Sequence, residues 1–480
     1  MIIRSVLTFA ASFLAFIPLK AQDGSPTIIT LDDALRIALS ENVSVKVADK
    51  EIERAEYARK GTYASLLPQV DAVGSFQRTI KKQVMYMDFD MSKLGGMSGL
   101  GEESEGGETS ENPVADDTSS SSSGGGIEVG RWNTFSGGLT AVMPLVNAQL
   151  WKGIEISGQD VELAVEKARS SRLDMVTQVK EAYYSVLLAK EALKVYREAY
   201  DNAMANYGQT EKRHNAQKAS DLELTRAKSA VSNAIPSVFN AESSVILALW
   251  QLKAVMGVDL DMDIDTAGSL EDFGKSMLYD INEADVLNLD YNTTMRQLAI
   301  QAEELANNVK MQRYAYLPSL AANFAYSVNA MTNDFKFNQY RWTPYSYIGL
   351  SLSIPIFSGG KRLNDLRAAK VQAEELDLQK ADTERQLKIG IRQYLNTMEA
   401  RMKSYAAALD AVETASKAYD IAQKSYNVGR STITDLNDAQ LGLTQSRLAV
   451  SQAIYDFEVA KANLEKILGS DVTGEPVFWK

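Results

Sequence analysis

Apolar positions in this chain follow two different periods. From residue 320 to 328, Leu320, Ala322, Phe324, Tyr326 and Val328 alternate with Ala321, Asn323, Ala325 and Ser327. Ile348, Leu350, Leu352, Ile354 and Ile356 alternate in the same way with Gly349, Ser351 and Ser353. A period of two predicts strands whose two faces meet different surroundings. Val70, Ala72, Gly74 and Phe76, and then Leu139, Ala141, Met143 and Leu145, repeat the pattern less cleanly. Elsewhere the period lengthens. Residues 361–427 contain no proline and one glycine, Gly390, and are rich in Ala, Leu, Glu, Lys, Gln and Arg, all good helix formers. They predict one helix about 100 Å long, which needs partner helices along its whole extent. Residues 152–215 predict its counterpart, and 222–256 and 436–468 predict a shorter helix after each, with Pro236 a candidate kink.

The chain contains itself twice. Ala141-Val142-Met143-Pro144-Leu145 returns 211 positions later as Leu352-Ser353-Ile354-Pro355-Ile356, and Tyr183 returns as Tyr394. Met256-Gly257 returns 212 positions later as Leu468-Gly469, whereas Leu67-Pro68 returns 250 positions later as Leu317-Pro318. The change of offset puts a long insertion in the first copy, where an acidic Ser/Gly-rich tract lies. The expected organisation is an N-terminal segment with first helices at 22–66 and a first hairpin at 67–146 with its loop at about 85–131. A helix pair at 147–257, a linker at 258–290 and a helix at 291–315 follow. A second hairpin at 316–357, a second helix pair at 358–468 and a tail at 469–480 complete it.

Composition narrows the compartment. Arg4, an apolar stretch over 6–19 and Ala21 before Gln22 predict an export signal at 1–21. Beyond it no apolar run approaches the roughly 18 residues of a spanning helix. Entry into a membrane would then require a closed β-barrel. Alternation alone also fits a soluble sandwich, but four strands are too few for one in a chain of 480 residues. They are also too few to close a membrane barrel, which takes at least eight, so copies must combine. The absence of cysteine excludes disulfides, thiolate metal sites and a cysteine nucleophile. With His214 the only histidine, no enzyme site and no metal or other cofactor is expected. A net charge of −12 argues against nucleic acid as a partner. Much of it sits in ten acidic residues between Asp88 and Glu128, expected to lie in an extracellular loop.

The two-fold layout of strand hairpin and long helix pair resembles TolC-type outer-membrane efflux proteins. So does the run from Tyr426 through Asn427-Val428-Gly429-Arg430-Ser431-Thr432-Ile433-Thr434-Asp435-Leu436, with Asp438-Ala439-Gln440 after it. The resemblance covers nearly all of the chain after the signal. It implies an α+β membrane protein: a homotrimer with four strands per chain, twelve in the outer-membrane barrel, continued by a coiled-coil helical tunnel in the periplasm. It implies a passive exit duct in a tripartite efflux or type I secretion system, docked to a periplasmic adaptor and an inner-membrane pump. A coiled-coil structural or adhesive surface protein is the alternative, which has no use for two matched hairpins.

Site expectations centre on the turns between long helices. Gln217 and Lys218 in the first, and Gly429, Arg430 and Ser431 in the second, are the docking tips the resemblance implies, with Gln217 standing where the family usually has glycine. Ser220-x-x-Glu223 and Thr432-x-x-Asp435 are capping boxes. Asp435 and Asp438, three apart, share a helix face, and in an oligomer would form a carboxylate ring at the pore aperture. Such rings favour cations. The resemblance also implies that Tyr426 and Glu223 form a gate hydrogen bond; packing of Tyr426 between helices is the other reading. Trp132, Tyr340, Trp342, Tyr345 and Tyr347 are candidates for an aromatic girdle at the membrane interface.

Overall fold

A computed structural model of the chain describes residues 27–85, 127–275, 277 and 288–469. The expected export signal, nearly all of the acidic tract, residues 276 and 278–287 of the expected linker, and all of the expected tail but residue 469 lie outside these residues. The described chain forms two compact units. One comprises residues up to 59, 155–309 and 365 onward; the other comprises 60–154 and 310–364.

The second unit is a sheet. β2 (Gln69–Arg78), β5 (Asn133–Val146), β7 (Ser319–Thr332) and β8 (Thr343–Ser353) pair in that order, every neighbour antiparallel. A two-stranded ribbon, β3 (Gln83–Met85) with β4 (Ile127–Val129), continues the first hairpin, and a 3-10 turn at Phe337–Gln339 lies in the second. Pro144 has no N–H to give the ladder, and the β5–β7 register slips between Pro144 and Val146. The registers fix which residues share a face. Val70, Ala141, Phe324 and Ile348 stand in one row across the sheet, and Ala72, Leu139, Tyr326 and Ser346 in the next on that side. The opposite side carries Gln69, Ser75, Thr134, Ser136, Asn323, Ser327, Ser351 and Ser353. The apolar face is uncovered in the single chain: Ile348 is 84% exposed and Leu350 71%.

The same registers correct part of the girdle expectation. Phe76 stacks on Phe135 with ring centroids 4.7 Å apart, and Tyr340 lies 5.5 Å from Phe135 and 6.4 Å from Trp342. These rings belong to the apolar face at the end carrying the interstrand loops. Tyr345 and Tyr347 do not. They pair with Ser327 and Ala325, so they stand on the polar face.

The first unit is helical. α1 (Leu31–Glu41) and α2 (Val43–Ala64) precede the first hairpin, and α3 (Ala148–Asn215) and α4 (Asp221–Met256) follow it. After α5 (Leu270–Gly274), α6 (Thr293–Tyr314) leads to the second hairpin, followed by α7 (Lys361–Asn427) and α8 (Ile433–Leu468). α4 runs through Pro236 without interruption. The solvent side of α7 is laced by Glu384–Lys388, Glu399–Lys403 and Glu413–Lys417, each with the acid four residues before the base, the favourable order along the helix dipole.

A large core holds most of this unit. Tyr183, Leu187, Leu252, Met256, Leu270, Ile391 and Ile454 are almost fully buried in it. β1 (Thr27–Ile29) and β6 (Ile264–Thr266) pair in parallel at its edge. The Tyr183 hydroxyl donates to the carbonyls of Ile29 and Ala267 at 3.2 and 2.7 Å. Burial in this core pushes Tyr183 up to about 12.

The duplication is visible in how α4 and α8 end. Gly257 and Gly469 close them in the left-handed conformation, at φ 74° and 70°. The Asn42 amide donates to the Val255 carbonyl at 2.7 Å, and Asn292 to Ile467 at 2.6 Å. Each asparagine oxygen in turn accepts from the start of the next helix, from Ser44 N–H and Met295 N–H. Arg169 clamps the second junction, donating to the carbonyls of Tyr291 and Gly469 while pairing with Glu166 at 3.0 Å. A Cβ on Gly469 would collide with the Tyr291 carbonyl. Gly469→Ala should therefore cost more than about 2 kcal/mol, from the backbone strain and the collision together. Asn292→Ala should cost about 1–2 kcal/mol. Denaturant unfolding of the detergent-solubilised protein measures both.

Glu458 on α8 is 3% exposed and one of its carboxyl oxygens has no hydrogen-bond partner. Burial raises its pKa, with Glu465 adding to the effect, while Lys461, the Tyr184 hydroxyl and Lys180 oppose it. The folded chain then holds this proton more tightly than the unfolded chain. Stability is greatest below the ordinary carboxylate range and falls as pH rises through the folded value. Glu458→Gln should raise the Tm at about pH 8, and the gain should vanish at about pH 4.

Candidate functional site

The two turns between long helices close with the same bonds. In the first, Ala216, Gln217 and Lys218 donate to the carbonyls of Lys212, His214 and Arg213. In the second, Val428, Gly429 and Arg430 donate to those of Lys424, Tyr426 and Ser425. Gly429 has φ 77°, which glycine adopts freely. Gln217 adopts φ 60°, alone among the described non-glycine residues in having a positive φ. The first tip is therefore not reshaped by its missing glycine. It keeps the backbone and carries the strain.

Both following helices start with complete capping boxes. Ser220 Oγ accepts from Glu223 N–H at 3.2 Å, and the Glu223 carboxylate accepts from Ser220 N–H at 3.0 Å. Thr432 and Asp435 do the same at 3.2 and 2.8 Å. The Thr432 N–H and hydroxyl hold the Asp435 carboxyl below the usual carboxylate range. Asp435 is thus a fixed anion, turned back on its own helix start. Asp438, one turn on, is exposed and outside the capping box. It lines a cleft of about 550 Å³ with Arg226, Asn233, Asn437 and Gln440.

Tyr426 and Glu223 form no hydrogen bond with each other within the chain: the Glu223 carboxylate accepts from Ser220 N–H, and the Tyr426 hydroxyl bonds Thr210. The Tyr426 ring is 1% exposed, in a small core with Ala227, Tyr419, Ile433, Leu436 and Leu443. Its hydroxyl lies 2.7 Å from Thr210 Oγ1, which donates onward to the Asn206 carbonyl, so the tyrosine is the donor. Arg213 donates to the Tyr426 carbonyl at 2.7 Å and lies 4.6 Å above its ring. Arg226 donates to Thr434 at 3.1 Å. These bonds tie the first helix pair to the second near the tips. Thr210, Arg213 and Arg226 carry no motif, and no sequence signal marks them. His214 lies 2.7 Å from Asp221 across the first turn, on the exposed side rather than packed between helices.

Among the described residues, no helix is long and apolar enough to cross a membrane. The profile of the family described as Outer membrane efflux protein matches residues 112–258 and 287–470. The Outer membrane protein TolC of Vibrio cholerae is 21% identical over 348 residues, 70% of this chain and 77% of that protein. The Pyoverdine export outer membrane protein OpmQ of Pseudomonas aeruginosa is 23% identical over 450 residues, 88% of this chain and 84% of that one. Among solved structures, the outer membrane protein VceC from Vibrio cholerae superposes with a TM-score of 0.69 at 15% identity, covering 92% of this chain and 96% of that one. The chain belongs to the outer membrane efflux protein family. It acts as an outer-membrane channel component of efflux or secretion.

The strain at the first tip is testable. Gln217→Gly should stabilise the protein by about 0.5–1 kcal/mol, and Gly429→Gln should destabilise it by about 1 kcal/mol. The midpoints of chemical unfolding compare the two directly.

Proposed function

We propose that three copies close one twelve-stranded barrel and one helical tunnel, forming a passive exit duct. An inner-membrane pump drives cargo through it, and a periplasmic adaptor grips the tips at Gln217, Lys218, Gly429, Arg430 and Ser431. One observation carries this reading. The sheet has an exposed apolar face and two unpaired edges, β2 and β8. An open edge is not tolerated in lipid, because its N–H and C=O groups find no partner there. Pairing β8 of one copy with β2 of the next satisfies both edges and turns the apolar faces outward together. Two copies would give eight strands, and a barrel that small has its interior filled by side chains. Three is the smallest number that leaves a passage, and it is the number the family resemblance implies.

Asp435 and Asp438 supply the pore aperture in this reading, with Asp435 immobilised and Asp438 free to face permeating ions. Tyr426 holds the mouth shut through Thr210 and Arg213 rather than through Glu223. Planar-bilayer conductance of the purified protein tests these roles. Asp438→Ala should lower the cation-to-anion permeability ratio roughly threefold to fivefold, and Tyr426→Phe should raise single-channel conductance. Unchanged selectivity in the first variant removes the carboxylate ring, and unchanged conductance in the second removes the latch.

A further inference from the structure

We propose that the polar face of the sheet carries a transit site for flat aromatic organic cations, made by Tyr345, Tyr347 and Asp71. This rests on the closed barrel proposed above, which turns the polar face toward the lumen. Tyr345 and Tyr347 are two apart on β8, so their rings stand side by side, with centroids 5.8 Å apart and planes at 43°. They are 61% and 49% exposed. Their neighbours on β7 are Ser327 and Ala325, and beyond those on β5 are Gly138 and Thr140. Two large rings thus rise from a floor of small side chains, with open space above them.

Asp71 is the one charged residue among the strand positions on that face. It pairs with Thr140, Thr140 with Ala325, and Ala325 with Tyr347, so carboxylate and ring stand in the same row. Three strand spacings, about 14 Å along the curved sheet, separate them in one copy. The next copy adds its own Asp71 edge beside β8, completing a belt in which carboxylates and aromatic pairs alternate. A lipid-interface role does not fit these tyrosines, because the lipid-facing rings lie on the other side of the sheet. A filler role does not fit a twelve-stranded barrel either, since a barrel wider than eight strands leaves a passage.

The chemistry selects the ligand. Aromatic faces attract cations and stack flat rings, and the carboxylate belt disfavours anions. The exposure of every group keeps residence short, as a conducting site requires.

The test uses the purified full-length channel in planar bilayers, blocked from the loop side by methyl viologen, an aromatic dication, or by hexamethonium, an aliphatic one. Viologen should block about tenfold more tightly. The pair Tyr345→Leu with Tyr347→Leu should bring the two blockers within about twofold of each other, whereas Tyr345→Phe with Tyr347→Phe should keep the preference. Asp71→Asn should weaken both blockers alike. Equal block of the unaltered channel, or an aromatic preference that survives the leucine pair, overturns the site. Open-channel conductance without blocker reports the barrel separately: no conductance from the unaltered protein sinks the duct reading and the site with it, while normal conductance without viologen preference sinks the site alone.

Discussion

A β-sheet in lipid has no water to satisfy its edges, and the proposed assembly follows from that requirement. The chain builds one apolar face and one polar face on four strands, then leaves the outer hydrogen-bonding groups of β2 and β8 unpaired. In water such an edge invites aggregation; in a bilayer it must find another strand. The chain cannot cover its own edges by bending round, since four strands are too few to close. In the proposed duct, association is therefore part of folding, and a single copy is an incomplete barrel.

The duplicated helical half repeats one solution at two places and allows it to diverge. Both copies end their second long helix with a left-handed glycine and fasten it with an asparagine from the helix that leads back to the sheet. Gly257 with Asn42, and Gly469 with Asn292, are the same device. At the tips the copies differ in sequence and agree in backbone: Gln217 takes the conformation that Gly429 takes without cost. Tyr426 falls in a buried seam while its counterpart His214 faces a solvent-side aspartate. A pseudo-symmetric pair of tips has thus acquired two chemistries on one frame.

Much of this was legible beforehand because it is periodic. The strands declared themselves by alternation at Leu320 to Val328, the helices by the unbroken run over 361–427, and the duplication by Pro144 and Pro355. The capping boxes were readable because Ser220 and Thr432 contact residues only three positions away. What escaped was whatever depends on contact between distant segments. Thr210 and Arg213 reach Tyr426 across more than 200 residues, and nothing local distinguishes them from other polar helix residues. Proximity to a strand end suggests an interfacial position for Tyr345 and Tyr347. Their true face is set by parity of register, which a shift of one residue reverses.

The account stands or falls on whether β8 of one copy pairs with β2 of another. Because the chain has no cysteine, thiols can be placed in pairs, one on β2 and one on β8, and oxidised in outer membranes. The account predicts that a set of pairs related by one constant register yields closed covalent trimers on non-reducing gels, returning to single chains on reduction. Single chains alone, from every pair along both edges, would contradict it.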